Sequence, residues 1–230
     1  MNLGEDSPRF WVGKVYRLTL AAILGAVLIG WLAGAAAAAD ESWSREFRAI
    51  RKNQDIGYHR VSVERQGDET RVATQIELTV KLLGMVTVYT YHHRSEEVWR
   101  GGRLVSIHSR TDDNGAKLRL DAEAEGDSLR VKGTDYTGLA PGNIMPTSYW
   151  NSAFPRHDLL LNTQSGKLLK VGVSEKPVEA EDGVAPGSKR YALDGDLRLE
   201  IWYDAQGRWA KTRFQAESDG SIVDYRLVGE

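Results

Sequence analysis

The chain has 230 residues, with 30 Lys and Arg against 32 Asp and Glu interspersed along its length. This near-neutral balance gives no indication of binding to nucleic acid or to an anionic membrane surface. The chain has no cysteine, which excludes disulfides, thiol nucleophiles, thiolate zinc sites and acyl-lipid attachment. Its length suits one domain of ordinary size.

The N-terminal region has the pattern of an export signal. Arg9, Lys14 and Arg17 precede an apolar run from Leu18 to Ala33, and small residues follow as far as Ala39. We predict a signal peptide with a signal helix over residues 1–39, cleavage after Ala39, and a periplasmic or secreted protein that is not a lipoprotein. An uncleaved anchor is the alternative, because the apolar stretch approaches the roughly 20 residues that span a bilayer.

Residues 40–230 show the pattern of a single β-rich domain. Short runs of alternating apolar and polar residues are separated by turns that contain Gly with Asp or Asn, which is typical of antiparallel hairpins. In one run, the apolar positions are Ala116, Leu118, Leu120, Ala122 and Ala124. In another, Leu197, Leu199 and Ile201 are expected to be buried, opposite a solvent-exposed face formed by Arg198, Glu200 and Trp202.

About a dozen such runs predict an all-β, mainly antiparallel fold. We expect a large curved meander sheet or an open half-barrel rather than a closed sandwich. Residues 135–166 lack the alternation and contain three prolines, so they are predicted to form a long irregular loop that covers an end or open face of the sheet. A short helical turn is expected in this loop near residues 148–153 or 158–161.

The five histidines are the first candidates for acid–base or metal chemistry. His92 and His93 are adjacent on a predicted strand and point to opposite faces, so they cannot chelate one ion together. His59, His93 and His108 could converge across neighbouring strands, but no metal-binding spacing supports this. We therefore expect no metal and no cofactor. The acidic pairs, such as Glu96–Glu97, are expected to be solvated.

The most distinctive segment is Pro146-Thr147-Ser148-Tyr149-Trp150-Asn151. One hypothesis is a ligand site in which Tyr149 and Trp150 stack on an apolar molecule and Asn151 fixes its polar end, with His93 also contributing. The other is a plug, in which Trp150 packs into the sheet. The sequence favours the plug, because an irregular loop often needs an aromatic anchor.

Several segments resemble a family of exported bacterial proteins known as a domain of unknown function, DUF6134. The resembling residues are Ile56–His59 with Val61, Tyr91–Glu97 with Trp99, Ser109–Gly115, Thr147–Asn151, Leu161–Gln164 with Gly166, and Trp202–Gly207. This resemblance implies an envelope protein with a curved antiparallel sheet, whose fold is similar to the half-barrels of periplasmic lipoprotein carriers. It implies no catalytic residues.

Three functions remain open. The leading hypothesis is non-enzymatic binding of a hydrophobic or amphipathic ligand, or of an envelope protein, in the concave face of the sheet. The alternatives are an envelope hydrolase that uses His93 or His108, and a structural protein that pairs by strand addition. We expect no nucleic acid partner, and contact with the membrane only through the export signal.

Overall fold

The computed structural model describes residues 41–82 and 84–229. The predicted signal peptide over residues 1–39 lies outside the described residues. Within the described part of the chain, no helix is long and apolar enough to cross a membrane.

The described chain is all-β, as the alternation predicts. Its strands are β1 Glu41–Arg51, β2 Gln54–Gln66, β3 Glu69–Leu82, β4 Val86–Arg100, β5 Arg103–Asp113, β6 Ala116–Glu125, β7 Ser128–Gly133, β8 Thr137–Pro141, β9 Met145–Pro146, β10 Leu159–Leu161, β11 Leu168–Lys176, β12 Lys189–Gly195, β13 Leu199–Tyr203, β14 Trp209–Gln215 and β15 Ile222–Gly229. The helical elements in the described residues are two 3₁₀ turns, Phe154–Arg156 and Ala180–Asp182.

All fifteen strands belong to one sheet, in the order β8-β7-β6-β5-β4-β3-β2-β1-β15-β14-β13-β12-β11-β10-β9. The pairs are antiparallel except β9 with β10. If flat, such a sheet would be about 67 Å wide at ~4.8 Å per strand. Its two edge strands are nevertheless joined by residues 142–144 alone, a connection that spans at most about 14 Å. The sheet therefore curls until its edges approach each other, without pairing.

The segment predicted as an irregular covering loop contributes both edge strands of the sheet, and its buried side chains pack inside the curl. It contains β8, β9, β10 and one 3₁₀ turn, which lies between the two positions expected from the sequence. Its residues Phe154, Leu160 and Leu161 are fully buried. The Ser109 hydroxyl on β5 donates to the Thr163 carbonyl, and the Tyr203 hydroxyl on β13 donates to the Tyr149 carbonyl. The segment is thus held by both halves of the sheet.

The prediction for Trp202 is wrong. This residue does point to the outer face, opposite Ile201, but it is completely buried there. The 3₁₀ turn at Ala180–Asp182 covers it, and its indole N–H donates to the Asp182 carboxylate at 3.1 Å. The cationic groups of Arg190, Lys211 and Arg213 surround the ring at 5.2 to 5.8 Å. Cation–π contacts therefore replace water on this part of the outer face.

Candidate functional site

Glu97 lies at the centre of the candidate site, and the expectation that it is solvated is wrong. Its side chain points into the curl from β4 and is 1% exposed. Oε2 accepts the indole N–H of Trp99 at 2.7 Å and that of Trp150 at 3.2 Å. The Ser148 hydroxyl lies beside the carboxyl, although Oε1 makes no hydrogen bond of ordinary geometry within the described residues. Burial raises the pKa of Glu97, and these three neighbours oppose the rise.

A row of buried polar side chains continues from Glu97 across β4, β3 and β2. Ser95 on β4 pairs with Thr74 on β3, which in turn pairs with Val61 on β2. His59 is two residues from Val61 on the same face of β2. The hydroxyls of Thr74 and Ser95 and both ring nitrogens of His59 have no hydrogen-bond partner within the described residues. Each unpartnered polar group of this kind costs about 1–3 kcal/mol of stability.

The two inward-facing histidines are neutral at physiological pH. His59 on β2 and His93 on β4 both pair with Ile76 on β3, so they lie on the interior face on either side of β3. Burial lowers the pKa of His59 to about 3, with a smaller contribution from His93, and lowers that of His93 to about 4. The Nδ1 atom of His93 lies 2.8 Å from the Thr111 hydroxyl oxygen. His93 is thus a fixed, buried side chain behind the irregular segment.

Tyr149 has a backbone conformation that bulky residues rarely adopt. Its φ is 66°, in the left-handed region. Its ring packs against His59, Phe154 and Trp209, with centroids 5.3 to 6.3 Å apart. Its carbonyl accepts the Tyr203 hydroxyl at 2.9 Å. Such strain persists only where surrounding contacts fix it, and it is found most often at functional sites.

Trp150 and Asn151 follow directly and point to different surroundings. Trp150 is 8% exposed and meets Trp99 edge to face, with ring centroids 5.6 Å apart. The Asn151 side chain accepts the backbone N–H of Ala153 through Oδ1, and Asn151 lines a cleft. Of the four predicted ligand-binding residues, Asn151 alone faces this cleft, whereas Tyr149, Trp150 and His93 lie in the interior behind it.

The cleft has a volume of about 520 Å³ and opens at the end of the sheet that carries the β4–β5 hairpin. Its apolar walls include Trp99, Leu104, Ile144 and Met145. Arg103, Asp127, Asn143, Asn151 and His157 add polar or charged groups. Sites for small organic molecules measure about 300 to 1,000 Å³ and combine apolar walls with a few polar groups. Of the predicted ligand-binding residues, Asn151 alone lines this cleft. Much of its remaining lining, over 141–145 and at Ala153 and His157, belongs to the segment 135–166 that was predicted to cover an end of the sheet.

The other histidine considered for catalysis is elsewhere. His108 lies on the outer face of β5, with Nδ1 3.0 Å from the Asp121 carboxylate, which also binds Arg110. His93 and His108 are therefore on opposite faces of the sheet and do not form one site. Among residues 41–82 and 84–229, no group of three or more acidic or histidine side chains is arranged to hold a metal ion.

Fold and cleft together define a class of all-β protein in which one antiparallel sheet curls around its own irregular segment and leaves a cleft at one end. The chain belongs to the DUF6134 family, a domain of unknown function, whose family model matches residues 47–228. This confirms the family resemblance that the sequence motifs indicate. No curated protein matches the chain, and no solved structure does.

Proposed function

We propose that this protein is an exported, non-enzymatic binding protein that holds an amphipathic molecule in the cleft beside Trp99. The observation that carries the proposal is the cleft itself, which has the size of a small-molecule site and mainly apolar walls. The apolar part of the ligand packs against Trp99, Leu104, Ile144 and Met145, and its polar end is fixed by Asn151.

Asn151 is suited to this role because its orientation is fixed. Its Oδ1 accepts the Ala153 backbone N–H at 2.9 Å, and its carbonyl accepts both the Phe154 N–H and the Tyr203 hydroxyl. The side-chain amide is therefore left to donate through Nδ2. In this arrangement Tyr149 and Trp150 are positioning residues, which anchor the segment, and the ligand contacts the small part of Trp99 that borders the cleft instead.

Export is part of the proposal. The basic residues, apolar run and alanines of residues 1–39 form the signal, and residues 40–230 work in the periplasm or outside the cell. Intact-mass measurement of the protein from the periplasmic fraction tests this directly. A mass that begins at Asp40 supports cleavage, and a mass that includes residues 1–39 contradicts it.

The two alternative functions have less support. A hydrolase would have to use His93 or His108 separately, since they lie on opposite faces, and His93 is buried with its pKa lowered to about 4. Strand addition needs an accessible sheet edge. The two edges here, β8 and β9, are joined by residues 142–144 and face each other, and β9 has only two residues.

Native mass spectrometry of protein purified from the periplasm, followed by organic extraction, tests the binding function. We expect a one-to-one adduct of a lipid-like molecule. The Ala153→Leu substitution fills part of the cleft and should remove the adduct, whereas Ala124→Leu, at an exposed position on β6, should keep it. A bare protein mass, or an adduct that survives Ala153→Leu, would overturn the proposal.

A further inference from the structure

The tip of the β3–β4 hairpin exposes four apolar side chains. Leu82 is 57% exposed, Met85 80%, Val86 60% and Val88 51%. Together these four residues form the apolar tip. Isolated apolar side chains are ordinary on a protein surface, but a group of four at one tip marks an interaction site.

The apolar tip projects beyond the rest of the sheet. Strand β2 pairs with β3 no further than Leu78, whose partner is Gly57, and β5 pairs with β4 no further than Tyr91, whose partner is Asp113. The two hairpin strands continue to pair with each other as far as Leu82 and Val86. Four residues at about 3.3 Å each carry the tip about 13 Å past its neighbours.

The composition of the hairpin fits an apolar environment. From Leu78 to Ser95 the chain has no Asp or Glu, and Lys81 is the one Lys or Arg before Arg94. Leu78 and Val80 pack against the hydrophobic core, so an apolar stripe runs from the core to the tip. Tyr89 pairs with Val80 at the base, where a ring with a polar end suits the boundary between water and lipid.

These features favour a lipid bilayer over a protein as the occupant. A stable protein interface needs about 20–30 residues and about 800 Å² on each partner, which four side chains at a narrow tip do not supply. A bilayer requires no complementary shape, and apolar groups enter its interface to a depth of about 5–10 Å, which is less than the projection of the hairpin.

We propose that the apolar tip inserts into the interfacial region of a lipid bilayer and docks the folded domain on a membrane. Apolar burial is the main driving force, and Lys81 lies at the level of the headgroups, where its charge is favourable beside anionic lipid. This contact is separate from the export signal and from the cleft, because the apolar tip is at the β3–β4 turn, whereas Trp99 lies near the opposite end of β4.

Vesicle flotation tests the proposal with residues 40–230, which contain the entire sheet and its hydrophobic core. The vesicles contain three parts phosphatidylethanolamine to one part phosphatidylglycerol. The double substitution Met85→Ser and Val86→Ser should lower the partition coefficient roughly tenfold or more. The matched control, Leu139→Ser with Ile222→Ser, removes two exposed apolar side chains elsewhere and should float like the unchanged protein.

A fluorescent label tests the site of contact, because the native chain has no cysteine. A nitrobenzoxadiazole group attached to Met85→Cys should shift its emission to shorter wavelength when vesicles are added. The same group on Asp68→Cys, in the turn between β2 and β3 at the other end of the hairpin, should not shift. The proposal is overturned if the unchanged protein does not float, if the double variant floats equally well, or if the label at position 85 stays in water.

The alternative occupant of the apolar tip is a second copy of the chain, and a separate measurement tests it. Sedimentation velocity without vesicles should show a monomer for both the unchanged protein and the double variant. A dimer that dissociates on Met85→Ser with Val86→Ser would contradict the proposal.

Discussion

Trp150 donates its indole N–H to Oε2 of Glu97 at 3.2 Å, although the two residues are 53 positions apart in the chain. The same oxygen accepts the indole of Trp99, which forms a wall of the cleft. One buried carboxyl thus joins the sheet to the segment that carries Asn151. The position of Asn151 in the cleft depends on this contact.

Replacing Glu97 should therefore destabilise the fold. Glu97→Ala leaves two buried indole N–H groups without an acceptor and opens a cavity, so we expect a loss of about 3 kcal/mol in the free energy of unfolding. Glu97→Gln keeps an acceptor oxygen and should lose less than half of that. Urea unfolding followed by tryptophan fluorescence measures both.

The neighbouring Glu96 provides the control, because it is exposed on the opposite face of β4. Glu96→Ala should change the free energy of unfolding by no more than about 0.5 kcal/mol. Equal effects of Glu96→Ala and Glu97→Ala would mean that the carboxyl does not hold the segment.

Acid should destabilise the protein through His59 and His93. Their folded-state pKa values, about 3 and about 4, lie below the ordinary value of 6.5. Below pH 6.5 the unfolded chain therefore binds more protons than the folded one, so stability is full above pH 6.5 and is lost as the pH falls towards the folded values. Each histidine should lower the free energy of unfolding by about 1.4 kcal/mol for every pH unit within that range. The raised pKa of Glu97 acts in the opposite direction, since its contribution is lost as the pH rises.

Comparison with His59→Leu separates these effects, because Glu97 and His93 are present in both proteins. Between pH 6.5 and 4.5 the variant should lose about 2 kcal/mol less stability than the unchanged protein. At pH 7 it should be at least as stable, since both ring nitrogens of His59 lack partners among the described residues. Parallel pH profiles of unfolding free energy would show that His59 is not the acid-sensitive group.

Gly57 should tolerate no side chain. Its φ is 137°, and a Cβ atom there would lie 1.9 Å from the Glu77 carbonyl oxygen on the adjacent strand. We expect Gly57→Ala to cost more than about 3 kcal/mol, or to prevent folding, because backbone strain and a clash add together. Thermal unfolding monitored by circular dichroism gives the comparison.

Gly172 in β11 is the matched position, because a Cβ atom there would meet nothing within 4 Å and its φ is not positive. Gly172→Ala should be neutral or slightly stabilising. If the Gly57→Ala protein unfolds at the same temperature as the Gly172→Ala protein, the β2–β3 pairing differs from the one described.

The alternation of apolar and polar residues predicts most of the sheet, because this alternation depends only on residues that are neighbours in the sequence. In β6, Leu120 and Ala122 are buried and Glu123 is exposed, as alternation requires, whereas Ala116 and Ala124 at the strand ends are exposed. Alternation predicts that Trp202 faces solvent, because it identifies the face of the sheet but not what covers that face. The residues that cover it, Ala180–Asp182, are about 20 positions away.

The site was harder to predict for the same reason. Tyr149, Trp150 and Asn151 were identified as a distinctive group, but which of them faces a cleft depends on the curl of the whole sheet. The sequence predicts a solvated carboxylate at Glu97, because nothing near it in sequence shows that Trp150 will supply its second donor. Trp99 and Ile144 share a cleft only because the two sheet edges approach each other.

The most direct test of ligand binding is a crystal structure of the protein purified from the cells that produce it, without added lipid. The account predicts elongated density in the cleft, packed against Trp99, Leu104 and Met145, with a polar end near the Asn151 amide. A cleft that contains only ordered water, or density bound at another surface of the sheet, would contradict it.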